Sequence, residues 1–300
     1  MRTLILSLGL ASSAAAQEGA LDVLDGETLY EEGWLFSLGY EQVRKSGLLD
    51  GRDHRSDPLD RVQLDQAAVL SAHYGLRYDL QLSAILPYVA RSLELDDPAG
   101  PDRSSAEGLG DMTLAAKWRW WRPAIEGTAF NFAVLGGLDL PTGSDSERDH
   151  GVRLPANLQP GSGSWDPFFG TGLTYEPGRW RLNGFGFYKH NGEGGHDYKQ
   201  GDQVFVELAA GNRFWLEPYP GPFMRADLLL RYRHEYRDYE DGDIVHDTGG
   251  DQVTLGLNWA FRPQPILDFQ VSVEIPVYER VQGVQLSEDY SFFLAFGYRL

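Results

Sequence analysis

From Asp289 to its end the chain reads DYSFFLAFGYRL, and Tyr290, Phe292, Leu294, Phe296, Tyr298 and Leu300 occupy every second position. A period of two is that of a strand with one apolar face. The alternation recurs along nearly the whole chain in segments of ~10 residues, and no run of helical period supplies a covering layer. The apolar faces are therefore expected to meet lipid, and the fold class is all-β, a transmembrane antiparallel up-and-down β-barrel over residues 34–300.

Strands are expected at Trp34–Tyr40, Val62–Tyr74, Arg77–Tyr88, Leu109–Trp121, Phe130–Leu140, Trp165–Glu176, Arg179–Lys189, Gln203–Trp215, Phe223–Tyr236, Asp251–Phe261, Ile266–Tyr278 and Asp289–Leu300. Short connections follow the even strands, near Gly75-Leu76, Gly127, Pro177-Gly178, EPYPGP and RPQP; long ones follow the odd strands, including residues 90–108, 141–164 and the segment after Tyr278. Twelve strands with this asymmetry place both termini and the short turns in the periplasm, and the longer loops outside.

The N-terminus fits export. Arg2, an apolar run from Leu4 to Leu10 and Ala14-Ala15-Ala16 form a signal peptide, 1–16, with cleavage expected after Ala16. Residues 17–33 read as a polar periplasmic lead-in with room for one helical turn. The destination is the outer membrane of a Gram-negative cell, with its lipid and lipopolysaccharide as surroundings and its assembly machinery as the reader of the C-terminal strand. A formal charge of −18, one unit more negative once Arg2 leaves with the leader, argues against nucleic acid as a partner. The absence of cysteine removes disulfides and thiol chemistry.

Five stretches carry a resemblance to a known family: GLGDMTLAAK at 108–117, LPTG at 140–143, GSWDPFFGTGLTY at 163–175, GDQVFVELAAGNRF at 201–214 and IPVYERVQGVQLSEDY at 275–290. In this order they resemble the outer-membrane channels named for the meta-cleavage (MetA) pathway of phenol degradation. The resemblance implies a barrel that admits small hydrophobic or aromatic compounds.

The residues themselves weigh against other chemistry. Seven histidines, among them His73 and His234, show no spacing that sets two on one face for a metal. The acidic run DYEDGDIVHD at 238–247 lacks the spaced pattern of a calcium loop and reads as an outer loop near anionic head groups. No G-x-S-x-G elbow occurs, and no cofactor is expected. A structural or adhesin-like barrel and an outer-membrane hydrolase are the alternative readings.

Inward positions carry a near balance of charges, including Arg181, Glu207, Arg225, Asp227, Arg231 and Glu274, which suits a narrow, wet lumen. If Pro177-Gly178 is a two-residue turn, Tyr175 pairs with Trp180, Gly172 with Asn183, Gly170 with Phe185, and Phe168 with Phe187. Phe168, Phe185 and Phe187 then point inward as a hydrophobic step facing water. The expected path for a small hydrophobic or aromatic solute is Phe168, Phe185, Phe187, Arg181, Asn183, Arg225, Asp227 and Arg231.

Overall fold

A computed structural model describes residues 25–97, 100–126 and 128–300. The signal peptide, residues 17–24 of the lead-in and Gly127 of one expected turn lie outside the described residues. The barrel strands are β1 (Trp34–Asp50), β2 (Val62–Arg77), β3 (Leu80–Asp97), β4 (Met112–Trp121), β5 (Thr128–Leu140), β6 (Asp166–Pro177), β7 (Trp180–Lys189), β8 (Gln203–Leu216), β9 (Phe223–Glu235), β10 (Gly250–Gln264), β11 (Leu267–Val281) and β12 (Val284–Arg299). Each pairs antiparallel with its neighbour in sequence, and β12 closes on β1 from Leu35↔Arg299 to Asp50↔Val284. Closure leaves no edge strand, so backbone donors and acceptors are paired without water. Among the described residues no helix is long and apolar enough to cross a membrane.

Burial follows the period of two that the sequence shows. On β1, Leu35, Ser37, Gly39, Glu41, Val43 and Lys45 are buried in the lumen, whereas Trp34, Phe36 and Leu38 are exposed. Leu38, Leu70, Leu228 and Leu257 are 57, 56, 56 and 68% exposed on the outer wall. A belt of this kind belongs in lipid rather than water. Trp34, Tyr78, Trp118, Trp120, Trp121, Trp180 and Trp215 ring its periplasmic edge; Tyr88, Trp165, Phe169, Tyr232 and Tyr236 ring the other. The molecule is an outer-membrane β-barrel.

Four details depart from the sequence reading. Residues 90–108 are mostly strand, because β3 continues to Asp97 and the chain returns as Gly100–Leu109 to pair with it. The connection after β11 is a tight turn at Gln282-Gly283, where Gly283 has φ +82, since both flanking strands run on above the membrane band. Alternation decays there because β12 begins buried on both faces: Gln285, Leu286, Ser287 and Glu288 are all covered, Leu286 packs on Leu48, and Gln285 donates to the Gly249 carbonyl. The β6–β7 turn is Gly178-Arg179 rather than Pro177-Gly178, so Tyr175 faces Leu182, Gly172 faces Phe185, Gly170 faces Phe187 and Phe168 faces Lys189. Gly178, at φ +64, supplies the left-handed residue that the tight turn needs. A slip of two residues preserves which face each side chain occupies. Finally, Asp25–Gly33 contains neither helix nor strand; it lies as an irregular segment across the periplasmic mouth.

Candidate functional site: the lumen

The periplasmic mouth is partly covered by the chain's own start. Arg181 Nη2 meets Asp25 Oδ2 at 2.7 Å, and its Nη1 meets Glu27 Oε2 at 2.8 Å and Glu176 Oε1 at 2.7 Å. Lys117 Nζ lies 2.9 Å from Asp25 Oδ1. The backbone N–H of Gly26 donates to Thr174 Oγ1 (3.1 Å) and that of Leu29 to Gln81 Oε1 (3.0 Å). These contacts come from β3, β4, β6 and β7, and the segment is tied further by Tyr30 Oη, which donates to the Leu300 carbonyl, and by the Glu32 N–H, which donates to the Gly75 carbonyl. Beside it is a cavity of ≈ 400 Å³.

Further in, a second cavity of ≈ 100 Å³ lies at a ladder of ion pairs. Arg225 Nε meets Asp227 Oδ1 at 2.7 Å, and Asn258 donates to Asp227 Oδ2 at 2.7 Å. Arg231 bridges Glu207 (2.6 Å) and Glu274. Asn183 accepts from Thr174 Oγ1 at 2.9 Å. Charges are thus matched within β9 and across to β8 and β11, which makes burial inside the barrel tolerable.

Above the ladder the inward side chains of β5–β8 form an apolar cluster of Leu135, Phe168, Phe185, Phe187 and Phe205. The rings contact at centroid distances of 5.8 Å (Phe185–Phe187), 6.2 Å (Phe185–Phe205), 5.4 Å (Phe187–Phe205) and 6.4 Å (Phe168–Phe187). The expected step facing water is not what the structure holds: Phe168, Phe185 and Phe187 are only 5–7% exposed. They fill space left by glycine. A Cβ on Gly137 would collide with the Phe168 ring, and one on Gly170 would stand 2.8 Å from Phe187 Cβ, the pairing by which an aromatic side chain covers a bare stretch of sheet.

The cluster is roofed by charge and by a loop. Lys189 Nζ, 1% exposed, lies 2.6 Å from Asp139 Oδ2 and 3.6 Å from Asp166 Oδ2. Residues 141–165 then cross the outer end as a strap. Asp111 accepts from the backbone N–H of Gly143 (2.9 Å) and of Ser162 (2.6 Å), and burial pushes its carboxyl above the usual range. Arg91 donates to the carbonyls of Asn157 (3.1 Å) and Gln159 (2.7 Å). Gly143 and Gly161 pack backbone on backbone, since a Cβ on either would fall within 2.7 Å of the other. Three of the stretches that carry the family resemblance, around Gly110-Asp111, Thr142-Gly143 and Gly163-Asp166, meet at this strap.

All eight residues expected to line a path do lie inside the barrel, but they fall into three groups. Arg181 binds the N-terminal segment; Arg225, Asp227 and Arg231 make the ladder, with Asn183 beside it; the phenylalanines form the closed cluster. Sequence reasoning missed Phe205 and Leu135, although Phe205 shares its face with Glu207, already placed inward. It also missed Lys189, which follows Phe187 at the same period.

Other chemistry finds little support in the geometry. His234 points outward, where its Nδ1 meets Asp251 Oδ1 at 2.8 Å. Ser71 Oγ lies 2.9 Å from His73 Nε2, but both residues are fully buried, and the second ring nitrogen meets Ser83 Oγ at 2.8 Å. In the acidic loop Asp238 accepts from Tyr198 and from the N–H of Gly201, and Asp247 from the N–H of Val284. Among the described residues no group of three or more histidine or acidic side chains is placed to hold a metal ion.

Fold and lumen together define an outer-membrane barrel, packed at its outer end and chambered toward the periplasm. The family described as "Putative MetA-pathway of phenol degradation" matches residues 69–288, and the chain belongs to it. Among solved structures it is similar to the COG4313 outer membrane channel from Pseudomonas putida F1, at 16% identity and TM-score 0.72, over 94% of this chain and all of that one. The beta domain of the Bordetella autotransporter BrkA matches at 10% identity and TM-score 0.50, over 90% of this chain and 100% of that one. No curated protein matches the sequence.

Proposed function

We propose that this barrel is a passive conduit through which small hydrophobic or aromatic compounds cross the outer membrane. The observation that carries the reading is the cluster of Leu135, Phe168, Phe185, Phe187 and Phe205, an apolar island between the Lys189 ion pairs and the Arg231 ladder in an otherwise polar lumen. Family membership and the likeness to a protein named an outer membrane channel support it.

The mechanism is one of exchange. An aromatic solute that enters displaces one ring and replaces its ring–ring contacts, worth ~0.5–1.5 kcal/mol each. It also removes its own apolar surface from water, worth ~1.5–3 kcal/mol for a ring-sized group. The two effects partly cancel, so binding is weak, as passage requires. The lipid-facing belt supports outer-membrane lipid and lipopolysaccharide as the barrel's surroundings, and on this reading β12, with Phe296 and Tyr298 exposed, is the strand offered to the assembly machinery.

Uptake of radiolabelled toluene tests the function. A strain lacking the gene should take it up several-fold more slowly at limiting concentration, and the wild-type gene should restore the rate. Equal rates with and without the gene would end the reading.

A further inference from the structure

The 400 Å³ chamber at the periplasmic mouth has a charge opposite to that of the chain. Among the described residues seven arginines and five carboxylates line it, in a protein of net charge −18. The ladder above has the reverse balance, with Glu41, Glu207, Asp227 and Glu274 against Arg225 and Arg231. The two cavities share Glu207, Arg225 and Arg231, so an anion meets a basic basin that merges inwardly into an acidic ladder.

The arginines are also arranged to receive one kind of anion. Arg225 gives its Nε to Asp227, Arg262 gives its Nε to Asp268 (2.5 Å), and Arg213 gives Nη2 to Glu176. Asp268 is itself shared with Arg299 at 2.6 Å. Each of Arg213, Arg225 and Arg262 thus commits one nitrogen of its fork to a carboxylate. Phe223 lies among them: the guanidinium carbon of Arg262 stands 5.0 Å from its ring centroid and that of Arg213 5.6 Å away. Guanidinium forks match a carboxylate in plane, and their flat faces and a phenyl ring accept another aromatic ring.

The geometry points to the chamber as a subsite for aryl carboxylates, with the carboxylate on Arg225 and Arg262 and the ring against Phe223. This deepens the conduit reading and rests on it: the solute that moves past the phenylalanine cluster carries an acidic end.

Isothermal titration of the purified mature barrel in detergent tests this with benzoate and benzyl alcohol, which differ in charge and share the ring. Benzoate should bind saturably and at least tenfold more tightly than the alcohol. An Arg225→Gln/Arg262→Gln pair should weaken benzoate by about tenfold or more, the loss expected for charge-assisted hydrogen bonds, and leave the alcohol unchanged. If the pair does not fold, high sodium chloride on the wild-type barrel reads the same claim, since it should weaken benzoate alone. Equal affinities, benzoate binding indifferent to both the arginines and salt, or no benzoate binding at all, would overturn the subsite. Those results would leave toluene uptake untouched, whereas gene-independent toluene uptake beside intact benzoate binding would overturn the conduit and spare the subsite.

Discussion

Replacing Lys189 by Met should cripple the barrel. Lys189 is the cation shared by Asp139 and Asp166, at 2.6 and 3.6 Å, with all three side chains no more than 5% exposed. Asp139 and Asp166 are direct cross-strand partners on β5 and β6. Without the ammonium, two buried carboxylates face each other, and like charges in opposed positions repel. Thr113 Oγ1 donates to Asp139 at 2.5 Å and Ser164 Oγ to Asp166 at 2.6 Å, but neither carries charge. Leaving one side of a buried pair costs about 3–5 kcal/mol. The expected result is a large fall in the urea midpoint, read as loss of the heat-modifiable band on gels. Lys189→Met with Asp139→Asn and Asp166→Asn should recover most of the loss, because a neutral trio removes the uncompensated charge. A single variant as stable as wild type would show that the trio does not hold β5, β6 and β7 together.

Arg181→Gln should act on the mouth rather than on the barrel. Its guanidinium holds Asp25 and Glu27 of the N-terminal segment together with Glu176 of the wall. The acids of the segment can reach water by undocking, so the loss of about 3–5 kcal/mol appears as release rather than unfolding. A shift of that size changes the docked-to-undocked ratio by a hundredfold or more. Lys117 and the backbone bonds to Thr174 and Gln81 remain, and they set how far the segment swings. Protease should then cut near Asp25 far faster than in wild type, and single-channel conductance should rise severalfold with the urea midpoint little changed. Unaltered cleavage and conductance would mean that the segment is held by something other than Arg181.

The strand pattern made the membrane part of this fold legible. Lipid and lumen impose opposite polarity on alternate residues, and twelve strands with their short periplasmic turns could be read from that alone. The pattern fails where the constraint fails. Gly100–Leu109 rises out of the lipid with mostly exposed residues, whereas the start of β12 is buried on both faces; alternation is lost in both places, and the strands there looked like loops. The register of β6 and β7 depended on whether Pro177 or Gly178 opened the turn, and alternation is blind to a slip of two. The inward direction of Phe168, Phe185 and Phe187 followed from parity. Their closure did not, because it depends on Phe205 from the next strand, on Leu135, and on glycines at 137 and 170 whose missing side chains the rings replace. The strap was hidden for a different reason: Asp111, Gly143, Gly161 and Ser162 come together only once the barrel has closed.

The claim at the centre of this account is that an aromatic solute crosses the membrane over the phenylalanine cluster. Uptake of toluene by cells carrying Phe185→Ser/Phe187→Ser, in barrels shown to be folded by their heat-modifiable band, tests it most directly. The hydroxyls leave the lumen wider but take away the surface on which the solute exchanges contacts. The account predicts uptake severalfold below wild type and close to that of the deletion strain. Uptake equal to or faster than wild type in the folded double variant, with the deletion strain still slow, would contradict it.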